Sequence, residues 1–358
     1  MSRRVFVRRT MFSFRSDEQN RLSFKLRVRA VNESWLHIGT GSLKLKFSRD
    51  IVDRIAKLRE SGKLTLEALE KIAEETPSAV SFDYYGCVRY GDKVVIPGSS
   101  LKGVCRSRVE LLQKADARGI VGSCFIRATG PLVRSPQKGY HGWRHYAIWD
   151  NVLGEDRGRP CSATRWEYYE DILVCSTCDV LGTSGLASKV FFGNLYSENA
   201  IVEYLVLDHN EKVEAVRPNA CFEGEIAFVS CSLAEVGLVA IGLNLYDEGK
   251  PVLIGKNKYK KRNVVDGPSD VKGKDIEFGV VNINPVEVRA PSRFEKVLKN
   301  IVGAEKFDTD DYGFTVLNRE FTRRLIEKAV SEAVNAVPWI KDYLKFNELE
   351  ILRSQGVR

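Results

Sequence analysis

The sequence predicts an α+β fold, and three observations carry that prediction. Residues 22–38 alternate Leu22, Phe24, Leu26, Val28 and Ala30 with Ser23, Lys25, Arg27 and Arg29, the period of a half-buried strand with a basic outer face. From about Ser100 to Ala115 the spacing changes to three and four through Leu101, Val104, Cys105, Arg108 and Leu112, the stripe of a helix. Alternation then returns over 188–197 and 221–231, so strands and helices interleave along the chain.

The remaining elements follow in order. Residues 50–75 hold two amphipathic helical runs split at Ser61-Gly62, a helical insertion over 50–76. Residues 81–98 read as a short hairpin with a Tyr-Gly-Asp turn. At Pro97-Gly98-Ser99-Ser100 glycine permits the turn and a serine is expected to cap the helix, with Lys102, Arg106 and Lys114 mostly off its apolar stripe. Such a helix start is also a ready anion site, to which Lys102 adds a charge.

Residues 118–178 crowd Gly, Pro, Arg, Trp and Tyr together with Cys124, Cys161, Cys175, Cys178, His141 and His145. An irregular insertion of that length is expected to be functional or held by something. Residues 188–197 form a strand, 201–218 a hairpin turning at His209-Asn210, and 235–247 a buried helix. Gly255 leads into Lys256, Lys258, Lys260, Lys261 and Arg262, residues 276–290 give a final strand, and the tail 315–346 is helical. The core order is strand, helix, strand, strand, helix, loop, strand, the split β-α-β plan of a ferredoxin-like (RRM-like) core carrying insertions.

Composition narrows the function classes. Hydrophobic residues make up 44% and charged residues 28% of 358, enough for a globular core. A net charge of +8 suits a polyanionic partner and equally suits solubility. No apolar run of membrane length and no secretory leader is visible, and eight cysteines are too sparse for a disulfide scaffold, so a cytoplasmic, reducing setting is expected. Neither a Gly-x-Ser-x-Gly elbow nor Walker or dinucleotide glycine spacing occurs.

Cys175-Ser-Thr-Cys178 places two thiolates on one turn, the bite that tetrahedral zinc accepts. With Cys161 these make three ligands, and the fourth is His145, His141 or Cys124, His145 being taken first. Two buried thiols and a redox pair are the competing readings. Trp143, Tyr146, Trp149, Trp166, Tyr168 and Tyr169 interleave with Arg144, Arg157, Arg159 and Arg165, a composition that suits stacking on bases or packing around a metal. Cys87, Cys105, Cys221 and Cys231 fall on strand or helix patterns as packed thiols.

Ile96-Pro97-Gly98-Ser99-Ser100-Leu101-Lys102-Gly103, followed by a helix, closely resembles the signature of the RAMP superfamily, RNA-binding proteins of CRISPR interference complexes. Four further stretches are similar in order: Leu36-His37-Ile38-Gly39 at the first-strand end, Asp83 in 81–86, residues 175–196, and the return of a thumb-like hairpin at 215–226. The resemblance spans roughly 22–290 and is strongest to the repeated guide-RNA-binding backbone subunits of type III effector complexes.

That resemblance implies one elaborated domain over 1–358, with a core at about 22–38, 100–116, 188–197 and 221–290. It also implies a zinc insertion at 118–178, a thumb hairpin at 201–221 and C-terminal helices at 315–350. It assigns His37, Gly98, Ser99, Ser100, Lys102, Arg106, Arg217, Gly255, Lys256, Lys258, Lys260 and Lys261 to the guide RNA. It supports a structural zinc held by His145, Cys161, Cys175 and Cys178.

Implied partners are CRISPR RNA, target RNA, other effector subunits and further copies or paralogues of the chain. The family's cutting aspartate falls at Asp83 by spacing, ahead of Asp92 and Asp50, and would work with Mg or Mn. Tyr84-Tyr85-Gly86-Cys87 departs from the family pattern after that aspartate, and a lysine cluster replaces several glycines after Gly255. Two other readings stand beside this one: a stand-alone RNA-processing endonuclease using His37, and a non-cutting structural subunit.

Overall fold

The computed structural model describes residues 3–11, 21–47, 49–75, 80–125, 143–164, 172–340 and 343–354, with the backbone alone at 3, 4, 44–47, 49, 80–83, 150 and 151. His141, Arg165, Trp166, Tyr168 and Tyr169 lie outside the described residues.

The class is mixed α+β. Strands β1 (Leu22–Asn32), β2 (Gly39–Phe47), β3 (Val80–Cys87), β4 (Arg89–Tyr90) and β5 (Lys93–Ile96) come first. β6 (Val190–Phe192), β7 (Leu195–Ser197), β8 (Val202–Leu207), β9 (Glu211–Val216) and β10 (Cys221–Cys231) follow. Then come β11 (Val252–Leu253), β12 (Lys261–Asp266), β13 (Asp275–Glu277), β14 (Val280–Pro291), β15 (Asp308–Thr309) and β16 (Phe314–Leu317). The helices are α1 (Arg49–Glu60), α2 (Leu66–Glu75), α3 (Gly98–Leu112), α4 (Trp143–Leu153), α5 (Ser176–Leu181), α6 (Leu233–Leu243), α7 (Glu295–Val302), α8 (Arg319–Ala336) and α9 (Glu348–Ser354).

The main sheet runs β15-β16-β14-β1-β10-β7-β5-β4, with β6 also on β10 and β11 also on β14. β1 lies at its centre, antiparallel to both β10 and β14. Its burial alternates: Leu22, Phe24, Leu26, Val28 and Ala30 are buried and contribute to one large core. Lys25, Arg27 and Arg29 of the opposite face pair with Glu225 and Glu223 across the strands.

The buried face is covered by helices. α6 is apolar all round and every residue from Glu235 to Leu243 is buried, the pattern of a helix enclosed by protein. A capping box between Ser232 and Glu235 starts it. Gly237 permits contact with α8, since a Cβ there would sit 1.9 Å from the Ala329 carbonyl oxygen.

A second sheet runs β13-β12-β8-β9-β3-β2. Its own small core is Trp35, Leu205, Leu207, Val213, Ala215, Val264, Ile276 and Phe278. β8 and β9 are the hairpin expected at 201–218, turning through His209 and Asn210, both at positive φ.

The structure departs from the sequence reading in several places. The first strand ends at Asn32, because Asn32 turns its side chain onto the Ser34 and Arg217 backbone carbonyls and residues 35–36 make only isolated bridges. Residues 81–87 join the second sheet, and only β4 and β5 form the expected hairpin. Val280–Pro291 is not the final strand: β15 and β16 follow, and the tail becomes helical only at Arg319, where Asn318 accepts the Phe321 N–H as N-cap. The insertion holds α4 and is stitched to the N-terminus, where Arg3–Arg4, Phe6–Val7 and Thr10–Met11 pair with 155–156, 120–121 and 173–174.

Candidate RNA groove and cysteine centre

A groove of about 460 Å³ opens where three segments of the chain meet. The turn into β2 contributes His37 and Gly39, the start of α3 contributes Ser100, Gly103 and Val104, and the loop after β11 contributes Gly255, Lys256 and Lys258. Tyr85 of β3 closes one side.

Backbone geometry fixes the wall at His37. The His37 carbonyl accepts the Lys256 N–H at 2.9 Å. Gly255 sits at φ 90°, and a Cβ there would lie 2.6 Å from the His37 carbonyl oxygen. Glycine is therefore required for the loop to reach the His37 backbone. His37 itself is buried, with Nδ1 2.6 Å from the Glu214 carbonyl oxygen. A carbonyl can only accept, so Nδ1 carries the proton and Nε2 offers a lone pair. Burial, with Lys256 acting in the same direction, pushes the imidazole pKa down and keeps it neutral. Nε2 has no hydrogen-bond partner among the described residues.

The start of α3 is not capped by a serine. Pro97 is the N-cap residue and no side chain caps the helix. Gly98 donates its N–H to Asn194 Oδ1 at 3.0 Å, and Ser100 and Leu101 donate theirs to the Pro97 carbonyl. Gly98 is therefore a packing residue: a Cβ would meet the Phe192 carbonyl oxygen at 1.9 Å. The hydroxyls of exposed Ser99 and half-buried Ser100 have no hydrogen-bond partner among the described residues. Lys102, half-buried on the same turn outside the groove lining, has no carboxylate partner there either. Burial, followed by the Arg106 charge, lowers its pKa.

The other expected cations divide. Lys256 holds Glu211 at 2.7 Å and lies 4.0 Å above the Tyr85 ring. Lys258 lines the groove, whereas Lys260 and Lys261 line a neighbouring cavity. Arg217 is engaged by Glu203 and Asp270 and lies over Trp35, which ties the base of the hairpin to the connection between β12 and β13. Arg106 turns away from the groove. It donates to the Gly182 carbonyl and lies 3.3 Å from Glu110 and 3.8 Å from Cys178 Sγ.

Asp83 lies in β3, two residues from groove-lining Tyr85. Tyr84 pairs with Lys44 and Phe82 with Leu45, so Asp83 is the extra residue of a β-bulge. Its side chain lies outside the described atoms.

Cys124, Cys161, Cys175 and Cys178 are buried, and their sulfurs all lie within 4.8 Å of one another. Cys124 Sγ is 3.6 Å from Cys178 Sγ and 3.7 Å from Cys175 Sγ. Those edges match the roughly 3.8 Å S···S separation of a tetrahedron with Zn–S bonds near 2.3 Å. The donor set fits such a metal.

Cys124 takes the place expected for His145. His145 lies on α4 against Trp149 and Tyr259, and burial plus the Lys258 charge lower its pKa to about 4. Hydrogen bonds from Cys124, Cys175 and Cys178 hold the Cys161 thiol below the ordinary thiol range. Arg9 Nε donates to Cys161 Sγ at 3.3 Å, so guanidinium groups from the N-terminus and from α3 both touch the cluster. Arg157 is fully buried and donates to the carbonyls of Glu110, Gln113 and Ser123, fixing the turn that carries Cys124. Trp149 stacks on Phe346 at 4.3 Å, so both residues serve packing.

Tyr85, Gly39 and Arg9 escape the sequence reading. Tyr85 stood beside Asp83 in an already marked stretch, whereas no pattern links Arg9 to cysteines more than a hundred residues away.

No curated protein matches the sequence. Among solved structures the chain is similar to Csc2 of Thermofilum pendens, at 11% identity and a TM-score of 0.33, over 95% of this chain and 90% of that one. Among the described residues no helix is long and apolar enough to cross a membrane. A family model described as RAMPs, the RAMP superfamily, matches residues 33–353, and by that match the chain belongs to the RAMP superfamily.

Proposed function

We propose that this chain is a CRISPR RNA-binding backbone subunit of a type III interference complex, with copies or paralogues lined up along the guide. The observation that carries the reading is the groove, which is lined by His37, by Ser100 with its free hydroxyl and by the cation Lys258. Lys258 and nearby Lys102 supply phosphate affinity by displacing counterions. The strand order β14-β1-β10-β7, with α3 before β7 and α6 before β14, supports a ferredoxin-like core within one elaborated domain.

The four cysteines would hold a structural zinc. When bound, the ion supplies cross-links for an insertion with little core of its own. Closed tetrathiolate coordination leaves no open position for a substrate. Arg9 and Arg106 would offset the excess thiolate charge.

Asp83 is the residue we assign to target-RNA cutting, positioning a ribose 2′-OH for attack on the adjacent phosphate with a divalent Mg or Mn offsetting charge. A bulge suits this role because it re-aims a side chain out of the strand's alternation.

The test is reconstitution with guide RNA followed by complementary RNA. Particles beaded along the guide support the reading, and regular cleavage lost in Asp83→Ala supports the assignment. Discrete cleavage of precursor RNA without assembly would instead make the chain a processing endonuclease.

A further inference from the structure

The lysine segment after Gly255 borders two cavities. Lys258 lines the groove and also a second cavity of about 250 Å³, on which Lys260, Lys261 and Arg353 stand. Phe278, Val280, Leu349 and Leu352 supply its apolar walls, the last two from α9. Four cations thus surround apolar walls, against one carboxylate, Glu277.

That carboxylate is already committed. Arg353 reaches both Glu277 oxygens, with Nη2 at 2.9 Å and Nε at 3.4 Å, and Lys261 lies 3.8 Å away. A guanidinium held on two oxygens is fixed in its plane, the state in which arginine stacks on a flat ring. No carboxylate lies within ion-pair distance of Lys258 or Lys260 among the described residues.

We propose that this second cavity is a nucleotide subsite, taking one unstacked base of the single-stranded RNA whose backbone runs through the groove. The inference rests on the RNA-binding reading above and deepens it. Three features favour a nucleotide over an acidic peptide. The cavity is smaller than the roughly 300–1,000 Å³ typical of drug-sized ligand sites, room for a single ring system. Its apolar walls and planar guanidinium suit a base, while the ammonium groups suit the attached phosphate. Lys258, shared by both cavities, puts this site within one side chain of the groove.

The test uses full-length wild-type protein and single-stranded RNA carrying thiouridine at successive positions. Irradiation and peptide mapping should give cross-links within 258–261 or 349–353 as well as in groove peptides. Leu349→Trp, which fills the cavity from a half-buried position and leaves every groove residue intact, should weaken binding about tenfold and remove the 349–353 cross-link.

RNA that binds and cross-links in the groove, with nothing in 258–261 or 349–353 and unchanged affinity in Leu349→Trp, overturns the subsite and leaves the groove standing. An acidic peptide that cross-links there without displacing RNA overturns it in favour of a protein partner. Wild-type protein that binds no RNA removes the groove reading and the subsite together. The wild-type cross-link map decides the matter even if the tryptophan variant folds poorly.

Discussion

Cys124 and His145 exchanged places between sequence and structure. Cys-x-x-Cys spacing identifies a pair, but which third and fourth donors close the tetrahedron depends on how buried Arg157 folds the turn at 120–125 back onto α5, which no local pattern encodes. Cys124→Ser should therefore lower bound zinc by at least half, while His145→Phe leaves it unchanged; metal content by mass spectrometry after dialysis checks both.

His145 has a different consequence. The unfolded chain protonates this imidazole near pH 6.5, whereas the folded chain does so only near 4. Between those values the unfolded state binds more protons, so stability is full above about pH 6.5 and falls as pH drops toward 4. His145→Phe, which keeps an aromatic ring against Tyr259, should flatten the stability–pH slope in that window by on the order of 1–3 kcal/mol, read from urea unfolding at each pH.

At the scale of elements, helices and strands with a clean period were legible because one face of each is buried against the same core. β1, α3, α6, α8 and the 202–216 hairpin all overlap the segments read for them, although β1 stops at Asn32 and α8 starts only at Arg319. Short or edge pieces were not: β16 draws its stability from pairing with β14, a long-range contact, and β15 from pairing with β16. The serine cap failed for a related reason, since Asn194, a tertiary contact, accepts the Gly98 N–H and the Pro97 carbonyl accepts those of Ser100 and Leu101. What the sequence offered as a cap is thus a pair of free hydroxyls.

The contact between α6 and α8 gives the sharpest test at this scale. Gly237→Ala forces a methyl into the Ala329 carbonyl and should destabilise the protein by about 1–3 kcal/mol or more, measured by denaturant unfolding. Arg108, buried with Glu348, Asn244 and the Gly242 carbonyl, anchors α9. Glu348→Ala leaves that guanidinium partly unpaired and should cost about 3–5 kcal/mol by the same measurement.

Across the whole molecule, the cysteine centre and the groove share one helix. α3 meets the groove at Ser100, and about two turns later Arg106 reaches Cys178. Chelation should loosen the insertion first, seen as faster proteolysis between 118 and 178, and weaken RNA binding before the main sheet melts. The central claim is that residues at the start of α3 grip a phosphate chain. Its most direct test is equilibrium binding of guide RNA to wild type and Lys102→Glu, with thermal melts of both. A fall in affinity of about tenfold or more with a nearly unchanged melt is the predicted result. Unchanged affinity, or a parallel loss of affinity and melting temperature, would contradict it.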